Sequence, residues 1–361
     1  MEVSTYFYRL VERDLNILLD LYNFRALTTE QIKRKYFQES EHYVNKVLYK
    51  LRKERFINSN TLKGSRDKKK GISYHRLTEK GMECLARHGV AVEGFIQNLY
   101  VKPAKLHYVL SANDVMTDLT QSGWQALDSR GIKKRFNLDD RMNILGLLVD
   151  PEGKRYGYYV MEEGITRANL GKMVAEIRDS YAVVKNFIIF TKGARSYSQF
   201  INFAFNPPLK RIENQYVAQL PLYTGYDLKV VNFNIGRQRY KLYPTEKKWL
   251  NALATYYNFE VISDKPSEGR QSFETIIRYK GEEMYFVDLT DTDITKIRAI
   301  NSYTEHHYNE ENKRKILVAN FLKSQWDLVK DKEKYLERLV ITKNDFTNLF
   351  DAASAPPETE A

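Results

Sequence analysis

Three amphipathic segments in a row constrain the fold of the first 90 residues more than any other feature of the sequence. Apolar residues recur at helical spacing over 10–23, 29–37 and 40–55. A threonine stands at the start of the second segment and a serine at the start of the third, where a side-chain oxygen can accept a hydrogen bond from a first-turn amide. The pattern therefore predicts three short helices separated by tight turns.

A cationic loop between two short strands follows the third helix. The strands are predicted at 56–57 and 72–77, and the loop between them, 63–71, is bracketed by glycines and rich in lysine. Thr78 then caps a fourth helix. The order of three helices, a hairpin and a helix resembles a winged helix-turn-helix domain, which we place at residues 1–90. In such a domain the third helix enters the major groove of DNA.

The third helix and the loop carry the candidate DNA contacts. An asparagine amide can bind adenine with two hydrogen bonds, and lysine, arginine and tyrosine side chains can reach bases or phosphates. Two alternatives stay open, namely that the helix face is only a solvated surface and that the domain binds a protein. The candidate residues are Tyr43, Asn45, Lys46, Tyr49, Lys50, Arg52 and Lys53 on the helix and Lys63, Arg66, Lys68, Lys69 and Lys70 in the loop.

The distribution of charge favours a polyanionic partner for this domain. The chain has 57 Lys and Arg against 46 Asp and Glu, a formal net charge of +11. Residues 1–90 hold 19 of these cations and 11 of the acids, a net of +8, which leaves +3 for the rest of the chain. A cationic surplus in one domain is typical of proteins that bind nucleic acids. We therefore expect double-stranded DNA as the partner.

The rest of the chain is predicted to fold as two similar halves in a mixed α+β architecture. After a connector, each half follows the order α-β-β-β-α-β-α-β, with strands in the first half expected near 132–137 and 216–221, among others. This order is that of the restriction-endonuclease-like fold. We place the two nuclease-like domains at 105–225 and 226–350 and a disordered tail at 352–361, where proline, small and acidic residues predominate.

Several short motifs together resemble the replication-relaxation family of bacterial plasmids and other mobile elements. They are the segments 12–18 and 27–32, the segment 74–78 with Gly81, His107 with Asn113 and Asp114, and the stretch from 160 to 181. The resemblance implies an amino-terminal winged helix joined to a nuclease-like domain. It also implies a role in plasmid replication, DNA transfer or their transcriptional control.

The residues that nuclease chemistry needs are missing from the first half. That chemistry uses an acid on the second strand and an acid-x-Lys triplet on the third, which hold Mg²⁺ and activate water. Where the family tends to carry a Pro-Asp pair, this chain has Met142 and Asn143, and Gly164 stands two residues after Glu162 in place of lysine. We therefore expect the first half to be catalytically inactive.

The second half keeps two acids but again lacks the triplet lysine. The acids are Glu274 and Asp288, and Thr290 stands where the lysine would be. Lys296, on the following helix, could replace that lysine. Glu274, Asp288 and Lys296 therefore form the candidate catalytic set of an alternative function, a metal-dependent DNA nickase or nuclease.

The sequence thus predicts a sequence-specific DNA-binding protein of a mobile element, with the nuclease-like halves used for dimerisation or for binding partners or DNA. We expect neither a catalytic site nor a bound metal or cofactor. A second copy of the chain and replication or conjugation proteins are further expected partners, and a regulator that senses a ligand or peptide is a third possibility. A cytoplasmic location without membrane contact is expected, because the sequence lacks a long apolar run and a signal-peptide pattern and has Cys84 as its only cysteine.

Overall fold

The computed structural model describes most of the chain and divides it into two compact units, Met1–Gln121 and Ser122–Ala361. The described residues are 10–37, 40, 42–62, 71–212, 215–222, 226–265, 271–330 and 334–354. Helices and β-sheets occur in both units, which confirms the predicted α+β class.

The amino-terminal unit contains the predicted three helices, hairpin and further helix. The sheet has the strand order β1-β3-β2, with both pairs antiparallel. The elements are α1 (Glu12–Phe24), β1 (Leu27–Thr28), α2 (Thr29–Tyr36), α3 (Tyr43–Lys53), β2 (Ile57–Leu62), β3 (Ile72–Leu77), α4 (Glu79–Arg87) and α5 (Pro103–Leu119).

Threonine caps fix the start of two of these helices. The Thr28 hydroxyl accepts a hydrogen bond from the backbone N–H of Gln31 at 3.1 Å, and the Gln31 side chain accepts one from the Thr28 N–H at 2.9 Å. The Thr78 hydroxyl accepts one from the N–H of Gly81 at 3.1 Å. These bonds satisfy amides that a helix start leaves without intrahelical partners.

Helix α5 belongs to the amino-terminal unit, although the sequence pattern placed it at the start of the first nuclease-like half. Its Asn113 amide donates a hydrogen bond to the Phe24 carbonyl at 3.1 Å, and its Leu110 carbonyl accepts one from the Gln31 side chain at 2.7 Å. Leu106 packs with Ala26 in one apolar cluster. A helix that belonged only to the next domain would not place buried polar groups in hydrogen bonds with α1 and α2.

The second unit begins with a module that we call the first module, residues 122–242. Its elements are β4 (Gln125–Asp128), α6 (Ser129–Phe136), β5 (Gly146–Val149), β6 (Arg155–Met161), α7 (Arg167–Ser180), β7 (Asn186–Thr191), α8 (Ala194–Phe205), β8 (Lys210–Ile212), β9 (Gln215–Val217), β10 (Leu228–Asn232) and α9 (Phe233–Leu242).

The second module comprises residues 243–354. Its elements are α10 (Glu246–Tyr257), β11 (Glu260–Asp264), β12 (Thr275–Tyr279), β13 (Glu282–Asp288), α11 (Ile294–Ser302), α12 (Glu305–Glu310), β14 (Ile316–Asn320), α13 (Lys323–Trp326), β15 (Leu336–Val340) and α14 (Lys343–Ser354).

The two modules contain five-stranded sheets of the same topology. The strand orders are β4-β5-β6-β7-β10 and β11-β12-β13-β14-β15. In each sheet the first three strands are antiparallel to one another and the last three are parallel. The internal similarity that the element order indicated is therefore present in the sheets.

One strand expected in the first half is wrong, and a second is confirmed only in part. The segment near 132–137 is part of helix α6, because the Asp128 carboxylate caps this helix by accepting hydrogen bonds from the N–H groups of Arg130 at 3.1 Å and Gly131 at 2.9 Å. The strand expected near 216–221 is found in part as β9, but β9 pairs with β8 in a separate two-stranded sheet, and the last strand of the five-stranded sheet is β10. Helix α14 also extends to Ser354, inside the segment for which a disordered tail was predicted.

The buried His75 joins the hairpin to the second helix of the amino-terminal unit. Its Nε2 lies 2.9 Å from the Thr29 hydroxyl and its Nδ1 lies 2.7 Å from the Ser59 hydroxyl. Burial, together with the charge of the Arg52 guanidinium, lowers the pKa of His75 to about 4. The imidazole is therefore neutral in the folded unit at neutral pH.

We predict that acid destabilises the amino-terminal unit through His75. An unfolded chain binds a proton at this histidine near pH 6.5, whereas the folded unit resists protonation until about pH 4. The free energy of unfolding should therefore be highest above pH 6.5 and fall by up to about 3 kcal/mol as the pH drops to 4. Hydrogen exchange of the β2 and β3 amides measures this loss, and His75→Gln should remove that part of the pH dependence. Identical pH profiles for the two proteins would contradict the prediction.

Candidate nucleic-acid interface

Helix α3 has one apolar face that is fully buried. Val44, Val47, Leu48 and Leu51 are all buried, with the spacing expected of one side of a helix. Burial of these four side chains fixes the rotation of the helix about its axis. The opposite side must therefore face solvent.

All seven residues predicted on α3 as candidate DNA contacts lie on this exposed side. Tyr43 is 44% exposed and Tyr49 is 59% exposed, which is unusual for large aromatic side chains. Since successive residues are turned by about 100°, Lys46, Tyr49 and Lys53 follow the centre of the exposed side. The helix sequence from Tyr43 to Lys53 contains no acidic residue. The exposed side of α3 therefore presents cations and aromatic rings together.

The first residue of α3 is held by a cation that the sequence analysis missed. The guanidinium of Arg13 lies 5.1 Å from the centre of the Tyr43 ring and 4.8 Å from that of Phe37, and it pairs with Asp14 at 3.0 Å. The Tyr43 N–H also donates a hydrogen bond to the Ser40 hydroxyl at 3.3 Å. No sequence pattern pointed to this role of Arg13, because its aromatic partners lie beyond α1.

Strands β2 and β3 form the predicted hairpin. They pair from Ile57 with Leu77 to Leu62 with Ile72, so the loop between them connects two neighbouring strand ends. The predicted loop contacts Lys63, Arg66, Lys68, Lys69 and Lys70 lie outside the described residues.

The structure separates the residues of the alternative catalytic set. Glu274 is exposed just before β12, whereas Asp288 is buried at the end of β13. Asp288 accepts hydrogen bonds from the Trp249 indole and from the N–H of Thr290, both at 2.8 Å. The Lys296 ammonium donates to the Asp288 backbone carbonyl at 3.1 Å. Asp288 and Lys296 are therefore neighbours, while Glu274 takes no part in the close acidic group described next.

Asp288 and two other acidic positions come close enough to hold an ion. Glu246, Asp288 and Asp291 can each offer a carboxylate oxygen, and these atoms lie within 4.8 Å of one another. Asp288 and Asp291 are buried, and the Glu246 side chain at the outer edge is 46% exposed. Three acids with this spacing could in principle coordinate a divalent cation.

Three cations of the protein already occupy this acidic group. Lys229 lies 3.2 Å from Asp291 and also contacts Glu246, and Arg239 lies 3.2 Å from Asp288 and 3.1 Å from Glu246. Lys296 is 3.5 Å from Asp291. The formal charge of the six side chains is zero. We call them the buried ionic cluster: Lys229, Arg239, Glu246, Asp288, Asp291 and Lys296.

The pKa values of the cluster reflect these pairs. Partial burial works against a charged Glu246, but Lys229 and Arg239 outweigh it and hold the pKa of Glu246 well below its usual range. Lys296 and Lys229 likewise lower the pKa of Asp291 despite its burial. The pKa of Lys229 is raised well above its usual value, since its acidic partners outweigh burial. All three groups are therefore charged at neutral pH.

The neutrality of the cluster argues against a metal site. A divalent cation would have to displace lysine or arginine side chains that already neutralise the carboxylates. The sequence analysis missed Lys229, Arg239 and Glu246. A signal existed for Lys229, because it is the one cation in the apolar, buried start of β10.

In the first module the Glu176 carboxylate accepts several hydrogen bonds from the protein. The backbone N–H of Asn143 donates to both oxygens of Glu176, at 2.9 and 2.8 Å, and the Tyr159 hydroxyl donates to the same group at 3.1 Å. Burial raises the pKa of Glu176 although these donors favour its charged form. Glu162, the acid kept on the third strand, pairs with Lys192 at 2.8 Å.

A comparison with known families supports the resemblance drawn from the sequence. Residues 18–142 match the model of the Replication-relaxation family, which confirms that resemblance over about a third of the chain, from α1 to the segment after α6. The match leaves the chain from residue 143 onward outside the family model. No curated protein and no solved structure matches the chain. Within the described ranges, every helix is too short or too polar to cross a lipid bilayer.

We predict that Lys229→Met destabilises the second unit by about 3–5 kcal/mol, because it leaves buried carboxylates with less compensating charge. Urea unfolding followed by tryptophan fluorescence measures this change, since Trp249 donates a hydrogen bond to Asp288 inside the cluster. Adding Asp291→Asn should recover part of the loss. The matched control is Lys248→Met on the exposed side of α10, which should change stability by less than about 0.5 kcal/mol. Equal effects of Lys229→Met and Lys248→Met would contradict the prediction.

Proposed function

We propose that this protein binds double-stranded DNA of a plasmid or other mobile element in a sequence-specific manner. It acts in replication, DNA transfer or transcriptional control of that element. Residues 1–90 serve as a winged helix-turn-helix domain, and the two modules serve as nuclease-like scaffolds without catalysis. The observation that carries the proposal is the exposed side of α3, which is cationic and aromatic and has no acidic residue.

The chemistry of this helix side suits the major groove. The Asn45 amide can donate to and accept from the edge of adenine, and Lys46 can donate to guanine. Tyr49 and Lys53 continue the same line along the helix and can reach bases or the backbone. The cationic loop between β2 and β3 would contact phosphates, as the wing of such a domain does. Each phosphate neutralised in this way makes the affinity more dependent on salt.

The same residues argue against a protein ligand for this face. Protein interfaces are depleted of lysine at their centre, whereas the centre of the α3 side is formed by Lys46, Tyr49 and Lys53. A surface of this composition would leave buried ammonium groups without partners unless the ligand brought matching negative charge. A regular array of phosphates provides that charge.

The absence of catalysis is the second part of the proposal. Asp288 is bound by Trp249 and Arg239, and Glu274 lies outside the acidic group, so the set of Glu274, Asp288 and Lys296 lacks the arrangement needed to hold Mg²⁺. In the first module Asn143 occupies the position of the family's aspartate. The function of the modules is then to organise a dimer, to hold replication or conjugation proteins, or to extend the contact with DNA.

A nickase is the second candidate function, favoured by the proximity of Glu246, Asp288 and Asp291. We predict that the purified chain leaves supercoiled plasmid intact in the presence of Mg²⁺ or Mn²⁺, because the cluster's own cations neutralise these carboxylates. Conversion of the plasmid to the open circle is measured by gel electrophoresis. Metal-dependent nicking that Asp288→Ala abolishes would establish the nickase instead.

We predict that Asn45→Ala and Lys46→Ala change the preference among DNA sequences more than the affinity for random DNA. Loss of a good base contact removes about 1–3 kcal/mol of discrimination at one position. Selection from a random duplex library, followed by competition with the selected site and with random DNA, measures both quantities. Arg87→Ala on the exposed side of α4 is the control and should leave the preference unchanged. An equal loss on selected and random DNA would show that α3 does not read bases.

A further inference from the structure

Helix α6 of the first module carries a second concentration of positive charge. Segment 129–143 contains five cations and two acids. Ile132 is fully buried and Phe136 packs against the core of the module, which anchors one side of the helix. Lys134 and Arg135 are exposed on the remaining surface. The helix is thus held by its apolar side and presents cations on the other.

Two further segments add cations to the exposed side of α6. Arg141, in the loop after α6, has a side chain that is 88% exposed. Lys172 on α7 donates a hydrogen bond to the Arg141 carbonyl at 3.0 Å, and Lys133 donates one to the Asp140 carbonyl at 2.8 Å. We call these residues the α6 surface: Lys133, Lys134, Arg135, Arg141 and Lys172.

The five cations of this surface outnumber the three acids next to it, Asp139, Asp140 and Glu176. Asp139 pairs with Arg141 at 2.9 Å, and this arginine lowers the pKa of Asp139 to about 2. Glu176 is buried, lies 3.8 Å from Lys172 and accepts hydrogen bonds from Asn143. Asn143 itself adds no negative charge at a position where the resemblance would place aspartate. An approaching anion therefore meets a surface with an excess of cations.

The fold alone does not require so many cations here. One cation in the last turn of a helix is favourable by about 0.3–1 kcal/mol because it interacts with the helix dipole. Lys133, Lys134 and Arg135 all stand in that turn. Like charges at adjacent positions repel one another, and a polyanion that contacts this surface would relieve that repulsion.

We propose that the α6 surface binds the phosphate backbone of duplex DNA and gives the protein a second DNA contact beyond α3. This inference rests on the proposed function. An eight-residue helix is about 12 Å long, and duplex DNA presents about seven phosphate charges over that length. Flexible lysine and arginine side chains without a matching set of amides hold phosphates rather than read bases. The second contact therefore adds affinity and position but no sequence preference.

The test compares two triple variants of the full chain with the same loss of charge. The first, Lys134→Ala with Arg135→Ala and Arg141→Ala, removes exposed cations of the α6 surface. The control, Lys248→Ala with Lys330→Ala and Lys343→Ala, removes exposed lysines of the second module. Fluorescence anisotropy of a labelled 40-base-pair duplex gives the affinity at salt concentrations between 50 and 200 mM.

The α6 triple variant should bind DNA at least about tenfold more weakly and flatten the logarithmic salt dependence by about two to three units. The control triple should leave the salt dependence within about half a unit. If the α6 triple variant is no weaker than the control, the inference is overturned. Should it unfold, Arg135→Gln with Arg141→Gln replaces it, with an expected change of about two units, and no change in that variant overturns the inference equally.

A parallel measurement on Lys46→Ala with Lys53→Ala separates this inference from the proposed function. Weaker binding in the α3 variant together with unchanged binding in the α6 variant refutes only the second contact. Absence of duplex binding by the unaltered chain refutes both. A variant that combines the α3 and α6 substitutions should lose salt dependence by the sum of the two separate losses, which supports two independent contacts.

Discussion

The second unit depends on a buried ionic cluster at the junction of its two modules. Lys229 and Arg239 come from the last strand and the following helix of the first module, whereas the three carboxylates and Lys296 come from the second. Next to the cluster, the Val230 N–H on the edge strand β10 donates to the Asp291 carbonyl at 2.7 Å. Ile294 of the second module also lies in the apolar core of the first. Buried charges that lose a partner are costly, so the cluster fixes how the two sheets pack, with its acids paired to cations of the protein.

In the amino-terminal unit, apolar burial determines which side chains are exposed to solvent. The four aliphatic side chains under α3 fix the side of the helix that is exposed, and the His75 imidazole connects the hairpin to α2. Strands β2 and β3 are therefore joined to α2 by hydrogen bonds as well as by packing. The α3 residues that are proposed to bind DNA lie outside this packed core. Their polar side chains therefore do not destabilise it.

Local patterns in the sequence predicted much of this structure. The spacing of Val44, Val47, Leu48 and Leu51 predicted that α3 is a helix and which of its sides is buried. The order of helices and strands predicted that the two sheets are similar. Helix α6 replaces the strand predicted near 132–137 because the Asp128 side chain caps the start of a helix there. The ionic cluster could not be predicted, since Lys229 and Asp291 are far apart in sequence and meet only when the two sheets pack. The prediction of Glu274 as a catalytic acid rests on its position in the order of strands, and that position does not determine burial. The wing lysines stay a prediction.

Hydrogen exchange on the full chain, with and without a duplex fragment selected from the DNA of its host element, tests the central claim most directly. The proposal predicts that amides of Tyr43–Lys53 and of the hairpin strands gain protection when DNA binds, and that high salt abolishes the gain. Protection confined to the second unit, with α3 exchanging at the same rate in both states, would contradict the proposal.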